Sequence, residues 1–150
     1  MMTQSKIRAR YGLGIWGLAS AGFGMVFFLG GGAVTYADDS IRMGIAAVIL
    51  GAGFVGYLSM IYLTREKQNG RTLISDERDL EIARQANEIA LVAVLVFVFS
   101  VCISLFLSYE TAGSLPVGWM WFLAYGSACF GLLGQAVITL VLHREMSGNG

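Results

Sequence analysis

The chain has 150 residues, of which 56% are hydrophobic and 13% charged, where a soluble domain carries about 25% charged residues. Mean hydropathy is +0.67, and ten basic residues balance ten acidic ones to a formal net charge of zero. These values exclude an ordinary water-soluble fold and remove any bulk electrostatic case for nucleic-acid binding.

Four stretches contain no Asp, Glu, Lys or Arg: Tyr11–Ala37, Met43–Thr64, Ile89–Tyr109 and Thr111–Leu142. At 1.5 Å per helical residue, about 20 residues cross some 30 Å of hydrocarbon, so each stretch is long enough to span a bilayer. The chain reads as one all-α membrane domain with spans near 12–36, 43–64, 88–108 and 117–142. The expected lipid-embedded fold is a four-helix bundle with antiparallel neighbours.

Lys6, Arg8 and Arg10 precede the first span, and Thr35-Tyr36-Ala37 could pass for a signal-peptidase site. The uncharged run of 27 residues far exceeds a signal h-region of about 7–15, so a retained span is expected. That span is rich in glycine, and lipid leaves its backbone no other hydrogen-bond partner. Gly30-Gly31-Gly32 should loosen its end, and Asp38, Asp39 and Ser40 offer N-caps for the second span.

The longest polar stretch, 65–87, reads as a helical hairpin between spans two and three. Asn69-Gly70 is its turn, and Ser75 or Asp76 caps the returning helix. From Glu77 onward there is no Gly or Pro before the third span. One helix is therefore expected from about Asp76 to Ser108, projecting some 15–20 Å beyond the membrane. On its projecting part Leu80, Ala83, Asn87 and Leu91 form one stripe, and Ile82, Ala86 and Ile89 an adjacent one. Arg84 can pair with Glu88 or Glu81.

The third span is the most apolar: fourteen of the nineteen residues Ile89–Leu107 are Ile, Leu, Val or Phe. At about −0.3 to −0.6 kcal/mol each near the bilayer centre, they favour insertion by roughly 4–8 kcal/mol. The fourth span follows Pro116, with Trp119, Trp121 and Tyr109 suited to the interfacial belt. Nine of the ten basic residues fall before span one, between spans two and three, or after span four; Arg42 alone lies opposite. The positive-inside rule then places both termini and the hairpin in the cytoplasm, in a multi-pass protein of the cell membrane.

Ser75-Asp76-Glu77-Arg78-Asp79, followed by Ile82, Ala83, Gln85 and Ala86 and leading into a span, resembles small four-span prokaryotic membrane proteins of unknown function. Those proteins carry an Asp-Glu-Arg motif before the third span and are often encoded beside helix-turn-helix regulators. The resemblance implies an uncharacterised membrane protein and transfers no catalytic or ligand role.

Small residues spaced by four, including Gly17 and Ala21, Gly24, Gly51 and Gly56, are candidates for close helix packing within the bundle or for a homo-oligomer. Gln135 is the strongly polar residue deepest in a span, and Ser100, Ser104, Ser127 or Thr139 could bond it across helices. Cys102 and Cys129 lie in adjacent spans, could come close, and read as lipid-facing small hydrophobes rather than a redox pair. One histidine, His143, cannot supply a bis-histidine haem, and no metal-type spacing, phosphate loop or nucleophile elbow occurs. No enzyme, cofactor or metal is therefore expected. The leading expectation is an interaction or regulatory element that contacts a cytoplasmic protein through Glu77, Arg78, Leu80, Glu81 and Arg84. The alternative is a small oligomeric transporter or efflux component.

Overall fold

A computed structural model describes residues 4–63 and 77–148. The expected turn at Asn69-Gly70 and the caps Ser75 and Asp76 lie outside the described residues, as does the first arm of the hairpin. The described chain is all helical: α1 (Gln4–Phe28), α2 (Ala33–Tyr36), α3 (Ser40–Leu63), α4 (Glu77–Tyr109) and α5 (Gly118–Gly148). Four of these helices, α1, α3, α4 and α5, are long and apolar enough to cross a membrane.

The first span differs from the expected 12–36. The helix starts at Gln4 and stops at Phe28, and Ala33–Tyr36 is a separate short helix. An uncharged run records only what lipid tolerates, whereas glycine decides where the backbone turns. Gly31 and Gly32 have φ of 102° and 66°. Gly32 N donates to Phe27 O at 3.2 Å and Gly31 N to Phe28 O at 3.4 Å, closing α1 in a Schellman turn.

The next turn is capped as the sequence suggests, by Asp39. Its Oδ1 accepts from Ile41 N and Arg42 N, both at 3.1 Å. Its Oδ2 holds Arg42 Nε at 2.9 Å. Arg42 also donates to Thr35 Oγ1 at 3.2 Å, and Thr35 donates to Gly30 O at 2.9 Å. The single basic residue on this side is thus part of a helix cap.

The spans adjoin in the order α3, α1, α5, α4. α1 packs on both α3 and α5, and α5 on both α1 and α4, while α3 and α4 make no extensive contact with each other. Spans two and three are the flanks. The reason is side-chain shape: both faces of α1 interlock with a partner. Trp16 meets Phe54 edge-on at 4.9 Å and lies against Gly53 of α3, while Phe23 meets Tyr125 of α5 edge-on at 5.5 Å.

Two apolar clusters follow α1. Trp16, Ala19, Leu50 and Cys129 form one. Phe23, Phe27, Ala33, Tyr36 and Ala46 form the other, joined by Trp119 and Phe122. The second lies at the far side of the bundle, where α2 and the α4–α5 turn sit; the other end, where α1 begins and α5 finishes, is the terminal side. At the far side α2 presses so close to α5 that a Cβ on Gly118 would overlap the Ala33 carbonyl oxygen. α4 and α5 are stapled by Phe97 stacked on Phe130 at 4.8 Å. Trp119 Nε1 donates to Tyr109 Oη at 3.2 Å across their turn.

Candidate functional site

The α4 helix runs without a break for 33 residues, about 50 Å at 1.5 Å per residue, which exceeds the hydrocarbon thickness by roughly 20 Å. Its surplus lies at the terminal side. There Ile82, Ala86 and Ala90 are buried, while Leu80, Glu81, Arg84 and Glu88 are exposed. Of the two stripes read from the sequence, the one through Ile82 and Ala86 faces the bundle. Leu80, Leu91 and Ile89 point outward, at 59%, 62% and 49% exposure. Glu77 and Arg78 belong to the helix, and their side chains lie outside the described set.

The outward face is braced along its own length. Arg84 Nε pairs with Glu88 Oε1 at 3.0 Å. Glu81, the other candidate partner of Arg84, accepts instead from Gln85 Nε2 at 2.9 Å. These i,i+4 bridges hold the long side chains along the helix.

Gln135 does form an interhelical hydrogen bond, with a partner other than those expected. Its Nε2 donates to Asn87 Oδ1 at 2.6 Å. The α4–α5 register, set where Phe97 packs against Gly126 and Val94 against Gly131, brings Gln135 opposite Asn87. Ser100 lies thirteen residues away on α4, about 20 Å. The other hydroxyls are engaged locally: Ser104 with Ser100 O at 2.8 Å, Ser127 with Ala124 O at 3.1 Å, and Thr139 with Gln135 O at 2.7 Å. Such back-bonding to the preceding turn satisfies a hydroxyl without a neighbouring helix.

The small residues divide differently from the four-residue spacing. A Cβ on Gly17, Gly24 or Gly51 would meet nothing within 4 Å, and Ala21 is exposed. On Gly56 it would only graze Ile15 at 3.9 Å. The close approaches are at Gly12, Gly22, Gly53, Gly118, Gly126 and Gly131. Spacing alone marks where a helix could be approached; the bulky residue on the neighbour decides where it is. Cys129 is buried, not lipid-facing, because it lies among Trp16, Ala19 and Leu50. Cys102 is exposed and free, beside Leu105 and Phe106 on an apolar groove of α4 and α5. His143 is buried at the terminal end of α5.

A second feature of the terminal side is a cavity of about 230 Å³ that all four spans line. Arg8 and Gly12 come from α1, Tyr57 from α3, Ala83 from α4, and Gln135 and Thr139 from α5. Sequence reading named Arg8, Ala83, Gln135 and Thr139 separately and for other reasons; they are spread over three helices, with Gly12 and Tyr57 added from α1 and α3, and only the fold collects them.

No curated protein and no solved structure matches the chain significantly. A family model does match, over residues 12–146, and its description is Predicted membrane protein (DUF2178), a family of unknown function. That range takes in nearly all of the apolar length of the four helices and every turn between them, and the chain belongs to this family.

Proposed function

We propose that the protein is a non-enzymatic interaction or regulatory element of the cytoplasmic membrane, with both termini inside, which contacts a soluble protein through the α4 extension. The observation that carries this reading is the exposure of Leu80, Glu81, Arg84 and Glu88 on a helix whose opposite face is buried in the bundle. A helix anchored in this way presents its surface already ordered, so a partner does not have to offset the entropy of ordering it. The nine-to-one distribution of basic residues supports the orientation.

Photo-crosslinking from position 84, in membranes of cells producing the full chain, tests the contact. The expected result is one discrete adduct, lost when Glu77, Arg78 and Leu80 are changed to Lys, Glu and Asp. No adduct, or one indifferent to those changes, overturns the reading. Orientation is read separately, by labelling a cysteine placed at residue 70. Labelling by a membrane-impermeant reagent in intact cells would invert the topology.

A further inference from the structure

At the far side α4 and α5 flank a groove of about 560 Å³ beside their turn, a volume within the range of small-molecule sites. Its walls are apolar: Cys102, Leu105 and Phe106 come from α4, Met120 and Leu123 from α5. One charged group lines it, the carboxylate of Glu110, at the point where α4 gives way to the turn. Glu110 is exposed, and among the described residues it makes no hydrogen bond or ion pair. From Tyr109, the last residue of α4, the wall runs two helical turns to Cys102, about 11 Å toward the bilayer centre. The groove is thus an apolar slot with an unpaired negative charge at its mouth.

The surroundings add to that charge. The far side carries three acids, Asp38, Asp39 and Glu110, against one base, Arg42. Arg42 is taken up by Asp39 Oδ2 at 2.9 Å and by Thr35 Oγ1 at 3.2 Å. Residues 64–76 leave and rejoin the described chain on the terminal side. Thirteen residues extend at most about 45 Å, too short to reach the far side and return along a helix of about 50 Å. A carboxylate on a side with net negative charge selects a cation. The apolar walls require that the cation carry hydrocarbon. The Tyr109 ring lines the same mouth and adds the attraction of an aromatic face for an ammonium group. An acyl chain alone would fill the walls and leave Glu110 unpaired. A second copy docked about a two-fold axis would bring an equally acidic side against it.

We infer that this groove binds a lipophilic cation, an alkylammonium amphiphile whose charged head pairs with Glu110 and whose tail lies between Phe106 and Leu123 toward Cys102. Both halves of such a ligand are matched at the depth where they occur in a bilayer. Glu110 is the first charged residue after the uncharged run that ends at Tyr109, so the head sits at headgroup level and the tail in hydrocarbon. The inference goes beyond the proposed partner contact and stands without it, since it concerns the other end of the bundle and the purified chain alone.

The test is photolabelling of the full chain in an uncharged detergent, with an octyltrimethylammonium probe that carries a diazirine in its tail. Adducts are mapped by peptide mass spectrometry. Octyltrimethylammonium, octyl glucoside and octyl sulfate, which share one tail and differ in charge, then compete in turn. The expected adducts fall between Cys102 and Phe106 or between Met120 and Leu123. The cation should compete about fivefold to tenfold better than the glucoside, the combined size of an exposed ion pair and a cation–ring contact. Glu110→Gln should remove most of that preference, and Glu110→Lys should transfer it to octyl sulfate. Glu110 is an exposed turn residue, so both variants should fold, and their unfolding midpoints check this. Adducts spread along the lipid-exposed helices, equal competition by the three tails, or a preference unchanged in Glu110→Gln would each overturn the inference. Labelling that vanishes as the chain dimerises at higher concentration would assign the groove to a second copy and overturn it as well.

Discussion

The two ends of the bundle are built from opposite materials. At the far side, aromatic rings interlock across three helices. Phe27 lies within 5.1 Å of Tyr36 and of Phe122, and 5.8 Å from Trp119. Asp39, Arg42 and Thr35 tie the turn beneath them. At the terminal side the interior is mostly small, with Ala9, Gly12, Ala86, Ala90 and Ala136 beside Ile82 and His143, and it holds a cavity and a polar link from Gln135 to Asn87. Lipid is as apolar as leucine, so helices inside it are held by packing and hydrogen bonds rather than by expulsion of water. Side-chain bulk then decides where a bundle seals. Large rings close the far side, and small residues leave a cavity of about 230 Å³ at the terminal side.

The sharpest way to break this comparison is Gly118→Val. The added carbon would occupy the place of the Ala33 carbonyl oxygen, with Ala33 Cα at 2.7 Å. Backbone cannot swing aside as a flexible side chain can. A loss of about 3 kcal/mol is expected, typical of an overpacked core, and should show as a lower unfolding midpoint in detergent. Gly134→Val is the control, because nothing lies within 4 Å of that site. If the two variants unfold together, the far side is not tightly sealed.

Phe27→Ala ranks next. The ring is fully buried, and its loss should cost about 2 kcal/mol. That is below the 3–5 kcal/mol of a water-soluble core, because in lipid the transfer part largely disappears and the lost contacts remain. Leu18→Ala, at a position 78% exposed, should leave the midpoint within experimental error. A comparable drop at both sites would mean that aromatic interlock has no special part in the far side. Asp39→Ala should cost about 1 kcal/mol, the usual value of an N-cap. Asp39→Asn should recover part of it, since the amide oxygen can still accept from Ile41 N and Arg42 N.

The far side was also the more legible half in the sequence. A cap among Asp38, Asp39 and Ser40, and a loosening at Gly30-Gly31-Gly32, follow from local rules about which residues suit a helix end, although the full break after Phe28 is not legible in the sequence. The four spans follow from absence of charge alone. The order of the helices does not, because lipid tolerates any apolar face and the pattern never says which neighbour fills it. For the same reason Gly17, Gly24 and Gly51 read as packing positions, although the close approaches fall at Gly12, Gly53 and Gly118. The cavity was the least legible. Its polar members stand at positions 8, 57, 135 and 139, and only Gln135 and Thr139 are linked at short range.

The smallest expected effect bears on the terminal side and is the most discriminating about its design. Gln135→Leu removes the bond to Asn87 while nearly keeping the volume. Intramembrane hydrogen bonds average about 0.6 kcal/mol, so stability should fall by about that much. Asn87→Ala should cost a similar amount, and the double variant no more than either single change, because both remove the same bond. Additive losses would instead mean that each side chain has its own partner and that the 2.6 Å contact contributes nothing. A near-zero cost in both single variants carries a different lesson. Water reaching Asn87, an exposed residue at the end of its span, would then replace the lost partner, which requires the terminal side to be wet. The cycle therefore measures how far water penetrates the end of the bundle that the small residues leave open.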